Sequence, residues 1–122
     1  MADVTCTVSM KVNKGFLQAD VNARGVTAAM TSDSMISTTY ALTTNATTLS
    51  TANLSSVGFG VFRNLSTATA STAQIGIAAG GSFVSLATLK AGEPALFRLS
   101  AGQQYQAVGR AGTRLRVDIT EG

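Results

Sequence analysis

The sequence predicts an all-β protein: an antiparallel β-sandwich of jelly-roll type with an N-terminal β-hairpin or arm. Three observations support this fold class. Apolar and polar residues alternate along most of the chain, glycine turns separate the alternating segments, and no stretch has helical periodicity. The 122 residues fit one domain. We expect a single β domain over residues 1–122, with an N-terminal hairpin or arm (1–30), a Ser/Thr-rich segment (31–56) and a C-terminal sandwich core (57–122).

The N-terminal segment has an apolar residue at every second position: Val4, Cys6, Val8, Met10 and Val12. A period of two predicts a half-buried strand, in which Cys6 is a small buried apolar residue. Lys14-Gly15 marks a turn, after which alternation resumes at Leu17 and lasts until Gly25. The two segments therefore predict a hairpin. Further alternation over residues 26–30 predicts a third, weaker strand.

Residues 31–56 have a different composition, because 14 of these 26 residues are Ser or Thr. A flexible linker and a polar β-meander are both compatible with this composition. Ile36, Thr38, Tyr40 and Leu42 keep the period of two, and threonine favours strands. We expect one strand over about residues 35–44 and an exposed loop over residues 45–56.

The C-terminal part alternates strands and turns at intervals of about 8 to 12 residues, as sandwiches and small barrels do. Gly58 and Gly60 predict close backbone approach or a bend, and Gly80-Gly81 predicts a tight hairpin turn. Pro94 is excluded from a central strand position because it cannot donate a backbone hydrogen bond. The predicted strands are Val57–Phe62, Gln74–Ala78, Ser82–Leu89, Leu96–Leu99, Gln104–Val108 and Thr113–Thr120.

The last predicted strand has two distinct faces. Leu115, Val117 and Ile119 are expected to point into the core. The alternate residues Arg114, Arg116 and Asp118 are then expected to face solvent or a partner.

The composition argues against catalysis. A Ser-His-Asp triad is impossible without histidine, and one cysteine cannot build a zinc site. The spacing of the six acidic residues does not indicate a catalytic pair of carboxylates. We expect Glu93 to be a turn residue and Glu121 a terminal charge. The N-x-S/T asparagines 45, 53 and 64 are expected to be ordinary loop residues. We expect no enzyme activity, no cofactor and no metal.

The charges bear on possible partners. Charged residues make up only 12% of the chain, which favours a protein built into an assembly because few charges are desolvated on contact. Basic residues outnumber acidic ones in the C-terminal third, either as a solvated strand face or as a surface for an acidic partner. Nucleic acid is not expected, because only Tyr105 could stack a base near these residues. No apolar run approaches the ~20 residues that span a bilayer, and the N-terminus has no signal-peptide pattern.

Residues 36–122 resemble small β-structured virion proteins of tailed bacteriophages. The resemblance rests on an FRNL-type turn (Phe62 to Leu65), an Ile-Gly strand (Ile75-Gly76), a KAGEPAL-type turn (Lys90 to Leu96) and a final Leu-x-Val-x-Ile strand. Residues 1–30 match no known pattern and could be an arm or strand given to a neighbour.

The resemblance implies a capsid decoration or cement protein that binds the outer surface of a phage head and stabilises it. Its implied partners are the major capsid protein and further copies of itself, in a homotrimer or other cyclic oligomer. Its implied location is the virion, assembled in the host cytoplasm. Candidate capsid contacts are Arg114, Arg116, Arg98 and Lys90. The alternatives are a receptor- or glycan-binding β-sandwich of a fibre or adhesin, which the absence of tryptophan argues against, and a tail or connector subunit.

Overall fold

The protein is described here from a computed structural model, which describes residues 3–30 and 32–122. Strands make up 61% of these residues, and none of them lies in a helix. All strand pairs are antiparallel, so the prediction of an all-β protein with antiparallel sheets is confirmed. The chain forms two compact units, the first ending at Ser32 and the second comprising Asp33–Gly122.

The first unit is a two-stranded antiparallel hairpin of β1 (Val4–Lys14) and β2 (Leu17–Ala28). The prediction of a separate third strand near residue 26 was wrong, because β2 continues through Gly25 to Ala28. The prediction of a buried Cys6 was also wrong, since its side chain is only half-buried. Within the first unit, the two-stranded sheet has no second layer that could cover this side chain.

A β-bulge explains how β2 stays continuous past Gly25. Cys6 pairs with Val26 but Val8 pairs with Ala23, so β2 carries one extra residue in this interval. Gly25 has a φ of 66°, a left-handed conformation that glycine adopts without strain and that is typical of such bulges. Because the extra residue shifts the alternation by one, Val26 returns to the same face as Ala23.

The second unit contains eight strands in its described residues. They are β3 (Met35–Ala41), β4 (Thr47–Thr48), β5 (Val57–Asn64), β6 (Ala73–Ala79), β7 (Ser82–Leu89), β8 (Pro94–Arg98), β9 (Tyr105–Gly109) and β10 (Arg114–Glu121). Two four-stranded sheets result, in the orders β3-β10-β5-β8 and β4-β9-β6-β7.

The strand order is that of one long antiparallel hairpin in which the chain reverses direction at the β6–β7 turn. The pairs β3–β10, β4–β9, β5–β8 and β6–β7 are nested inside one another along the chain, and successive pairs alternate between the two sheets. Gly80 and Gly81 in the β6–β7 turn have φ values of 60° and 82°, as a tight hairpin turn requires. Pro94 begins β8, an edge strand, in agreement with its predicted exclusion from central positions.

Side chains from both sheets form one hydrophobic cluster. The inward orientation of Leu115, Val117 and Ile119 is confirmed, since all three are buried in it. The exposed loop predicted over residues 45–56 was wrong in part, because Thr47–Thr48 form β4 and Leu49 is buried. The whole cluster comprises Leu42, Leu49, Phe62, Ala73, Ile75, Leu89, Leu99, Tyr105, Ala107, Leu115, Val117 and Ile119.

Two polar residues assigned to the surface from the sequence are buried instead. Asn64 ends β5 and is fully buried, so the FRNL segment is the end of a strand and Asn64 is not an ordinary loop residue. Glu121 was expected to be a terminal charge, yet its carboxylate is buried. It accepts hydrogen bonds from the backbone N–H groups of Ser55 and Ser56 and from the Ser55 hydroxyl. Glu121 therefore secures the segment that leads into β5.

Candidate docking surface

Most of the residues that the sequence predicted to contact a partner lie on the outer face of the sheet β3-β10-β5-β8. Successive residues of a strand point to opposite faces. Because Leu115, Val117 and Ile119 of β10 point into the core, Arg114 and Arg116 point outward, and both are exposed. The register of the neighbouring strands then determines which of their residues share this outer face.

Two rows across the sheet bring further arginines to the same face. In one row Arg116 of β10 lies between Thr39 of β3 and Arg63 of β5. At the edge of the sheet, Phe59 of β5 is paired with Arg98 of β8. We define the arginine face as the outer face of this sheet, characterised by Arg63, Arg98, Arg114 and Arg116.

The arginine face has a strong excess of positive charge. It holds four of the nine basic residues of the chain and a single acidic residue, Asp118, so its net charge is about +3 by count (four minus one). A cluster of one sign of charge attracts a partner of the opposite sign and accelerates its association.

Asp118 orients one of the arginines. The Arg116 Nε and the Asp118 Oδ2 are 3.3 Å apart, and a second guanidinium nitrogen lies 3.3 Å from Oδ1. The Ser37 hydroxyl also donates to Asp118 Oδ1 at 2.5 Å. The Arg116 side chain remains 51% exposed, so the bidentate pair positions the guanidinium without hiding it from a partner.

Arg98 is positioned by an aromatic ring. Its guanidinium carbon lies 4.4 Å from the centre of the Phe59 ring, within the range of a cation–π interaction. In the described part of the chain, no hydrogen bond or ion pair joins the side chain of Arg63 or Arg114 to another residue. The face thus has two oriented and two free guanidinium groups.

Apolar side chains lie between the arginines. Val61 of β5 is exposed and lies between Asp118 on one neighbouring strand and half-buried Leu96 on the other. Exposed Met35 occupies the β3 end of the face. An apolar centre with charged groups around it is a combination found at protein–protein interfaces.

The structure places three of the four predicted contact residues, Arg98, Arg114 and Arg116, on one face. Lys90 lies in the turn before β8, beyond the paired residues of the sheet, with its backbone N–H bonded to Glu93 Oε1 at 2.7 Å. Arg63 was not among the contact residues predicted from the sequence. Its place could have been found by extending the alternation of β5, in which residues 59, 61 and 63 face away from buried Phe62.

One further surface hollow has tyrosine as the only titratable side chain in its lining. The hollow bounded by residues 48–52 and 102–105 is lined by hydroxyl, amide, backbone and apolar groups, and its Tyr105 hydroxyl is engaged by the Ser100 backbone N–H at 2.6 Å. Among residues 3–30 and 32–122, no three His, Cys, Asp or Glu side chains are grouped as metal ligands would be. The same residues include no helix of the length and apolarity needed to cross a membrane.

Comparison with protein-family models, with curated proteins and with solved structures found no match for this chain.

Proposed function

We propose that this protein is a structural virion protein, a capsid decoration or cement protein that binds the outer surface of a phage head and stabilises it. Its partners in this proposal are the major capsid protein and further copies of itself, in a homotrimer or other cyclic oligomer. It would be assembled onto heads in the host cytoplasm. The observation that favours this function is the arginine face, which offers four guanidinium groups and an apolar centre to an acidic partner surface.

We also propose that the second unit is a jelly-roll sandwich. Its eight strands, counted from β3 as one to eight, follow the orders 1-8-3-6 and 2-7-4-5. A ribbon of four nested strand pairs, rolled so that successive pairs alternate between two sheets, gives this order. Double-sheet jelly rolls with eight strands are frequent in viral capsid and lectin domains. Such a rigid body suits a protein that binds a shell and carries out no chemistry.

The arrangement of the two tyrosines gives less support to the alternative of glycan binding. Tyr105 is buried, and half-buried Tyr40 has its hydroxyl engaged by the Ser50 backbone N–H at 3.1 Å. Neither ring is a free platform for stacking a sugar. The sheet face, in contrast, is broad and charged.

The test is binding of the purified protein to mature phage heads that lack it, with the number of copies per capsomer measured. The double variant Arg114→Ala/Arg116→Ala should fold normally, because exposed charges contribute little to stability. Its affinity for heads should fall about tenfold, since loss of about 1.4 kcal/mol of binding free energy has this effect. The difference should shrink as salt is added.

The matched control is a variant that loses the same amount of charge outside the arginine face. Lys11→Ala/Lys14→Ala removes two positive charges from the hairpin unit and should bind heads nearly as well as the parent protein. Equal affinities for all three proteins at every salt concentration would exclude the arginine face as the contact. Failure of the parent protein to bind heads at all would exclude the cement function.

A further inference from the structure

The hairpin of the first unit has an apolar face that remains exposed. Val8, Met10, Val21 and Val26 are each about half-exposed in the structure. The register pairs Met10 with Val21, and the bulge at Gly25 returns Val26 to the same side, so these residues form one continuous stripe.

The opposite face of the hairpin is polar and bears charges of both signs. Ser9 pairs with Asn22, and Lys11 pairs with Asp20, which places opposite charges side by side. Residues of this kind are expected on a face that stays in water. The hairpin thus has one apolar and one polar face, as does a strand pair that packs on a second layer.

A hairpin of this kind requires a cover. An isolated two-stranded hairpin is marginally stable in water, and it becomes stable when its apolar face packs on another layer. Among the paired residues of the apolar face, none is charged from Val4 to Val12 on β1 or on the facing part of β2, and Lys14, paired with Leu17 at the turn end, is the one charged residue of this face. An acidic partner of the kind that suits the arginine face would find a single opposite charge here, Lys14, at one end of the face. The cover must be largely uncharged, flat and of similar length.

The hairpin of a second copy meets these requirements. The 11 residues of β1 span about 36 Å at ~3.3 Å per residue, and two strands are about 10 Å wide, so each face measures roughly 350 Å². Two stacked faces cover about 700 Å², below the ~1,200 Å² of a standard stable interface. Such a contact is reversible for free chains, and it becomes persistent where chains are already concentrated, as on a shell.

We propose that the apolar face of the β1–β2 hairpin packs on the same face of a second copy of this chain. The inference rests on the proposed function in that it names the surface through which the proposed homo-oligomer associates. Its evidence lies entirely in the hairpin, and its test needs no phage head.

The test is proximity cross-linking of the full chain. In a Cys6→Ala background, Met10→Cys places one thiol near the middle of the apolar face. Ser9→Cys, as the matched control, places one thiol on the polar face of the same strand. Stacked sheets are about 10 Å apart, so a bis-maleimide linker of about that reach would join two Met10→Cys chains. Circular dichroism would verify that both variants retain their strands.

We expect covalent dimers of Met10→Cys at a yield at least about fivefold above that of Ser9→Cys, rising with protein concentration. Sedimentation of the unmodified chain should show the same reversible association. Equal yields from the two variants, or a chain that stays monomeric at millimolar concentration, would overturn the inference. Head binding without self-association would refute the hairpin contact alone, whereas self-association without head binding would refute the cement function alone.

Discussion

At the scale of single residues, two buried polar side chains of the second unit differ in their hydrogen bonding. The Asn64 amide donates to the backbone carbonyls of Ser71 and Leu89 at 2.8 and 3.1 Å, and its oxygen accepts from the Ser66 backbone N–H at 3.0 Å. The Thr113 hydroxyl, in contrast, is buried without a hydrogen-bond partner among the described residues. A buried polar group without a partner retains the cost of its lost hydration.

Replacement of Thr113 by valine should therefore stabilise the protein. Valine has nearly the same shape and lacks the hydroxyl, so we expect the free energy of unfolding to rise by about 1 kcal/mol. Urea denaturation measures this change, with Thr39→Val on the exposed arginine face as the control for the general effect of valine in a strand. A loss of stability in Thr113→Val would show that the hydroxyl has a partner in solution.

The sequence could not indicate which polar residues are buried. Asn64 and Glu121 look like surface residues because their partners are backbone groups of distant segments, such as Leu89 for Asn64 and Ser55 for Glu121. A hydrogen bond to a backbone group requires no particular residue type as its partner, so it cannot be recognised from the sequence. Leu115 and Val117, in contrast, could be assigned to the core from local alternation alone.

At the scale of elements, the alternation of apolar and polar residues predicted the strands well where glycine turns mark their ends. The predicted Ser82–Leu89 coincides with β7, and the last strand differs from β10 by one residue at each end. The prediction failed for β4, which has two residues, too few for a period of two to be visible. It also failed at the β2 bulge, because the extra residue at Gly25 changes the phase of the alternation.

Gly76 in β6 should be intolerant of any side chain. A methyl group there would lie 1.9 Å from the Val84 backbone carbonyl oxygen, and a backbone atom of the paired strand cannot turn away as a side chain can. We expect Gly76→Ala to lower the free energy of unfolding by about 3 kcal/mol or more. The measurement is chemical denaturation monitored by circular dichroism.

Gly80→Ala, in the turn of the same hairpin, is the comparison. A methyl group at Gly80 would meet no atom within 4 Å, so the only cost is that of a left-handed φ, about 1 kcal/mol. If both variants lost equal stability, close strand contact would not be the reason for glycine at position 76.

At the scale of the whole molecule, the hydrophobic cluster predicts that the second unit folds without the hairpin. No described residue of the hairpin belongs to that cluster, which draws its members from Leu42 onward. A fragment comprising Asp33–Gly122 should keep its β-sheet spectrum and a free energy of unfolding within about 0.5 kcal/mol of the parent, the usual range for changes away from a core.

The complementary fragment, residues 1–32, should be largely unfolded on its own at low concentration, because a lone hairpin is marginal in water. Loss of structure in the Asp33–Gly122 fragment would show that the hairpin is required for folding of the second unit. Both fragments can be compared by circular dichroism and thermal unfolding.

The sequence indicated the sheet class and three residues of the arginine face, but not how the strands pair. β3 and β10 are neighbours although their paired residues are far apart in the sequence; Ser37 and Asp118, for example, are separated by 81 positions. Pairing at this distance depends on the whole set of turns and loops. Alternation within β5 puts Arg63 on the outward face of its own strand, but its position beside Arg116 follows only from the pairing of β5 with β10.

The turn at Gly80-Gly81 also has a practical consequence. It belongs to the sheet that does not bear the arginine face, and the space around both glycines is open. Exposed turns of this kind tolerate insertions better than any other part of a domain. If the chain binds a shell through its arginine face, a foreign peptide inserted between these two glycines would be presented in as many copies as there are bound chains, which would make the protein a scaffold for multivalent epitope display.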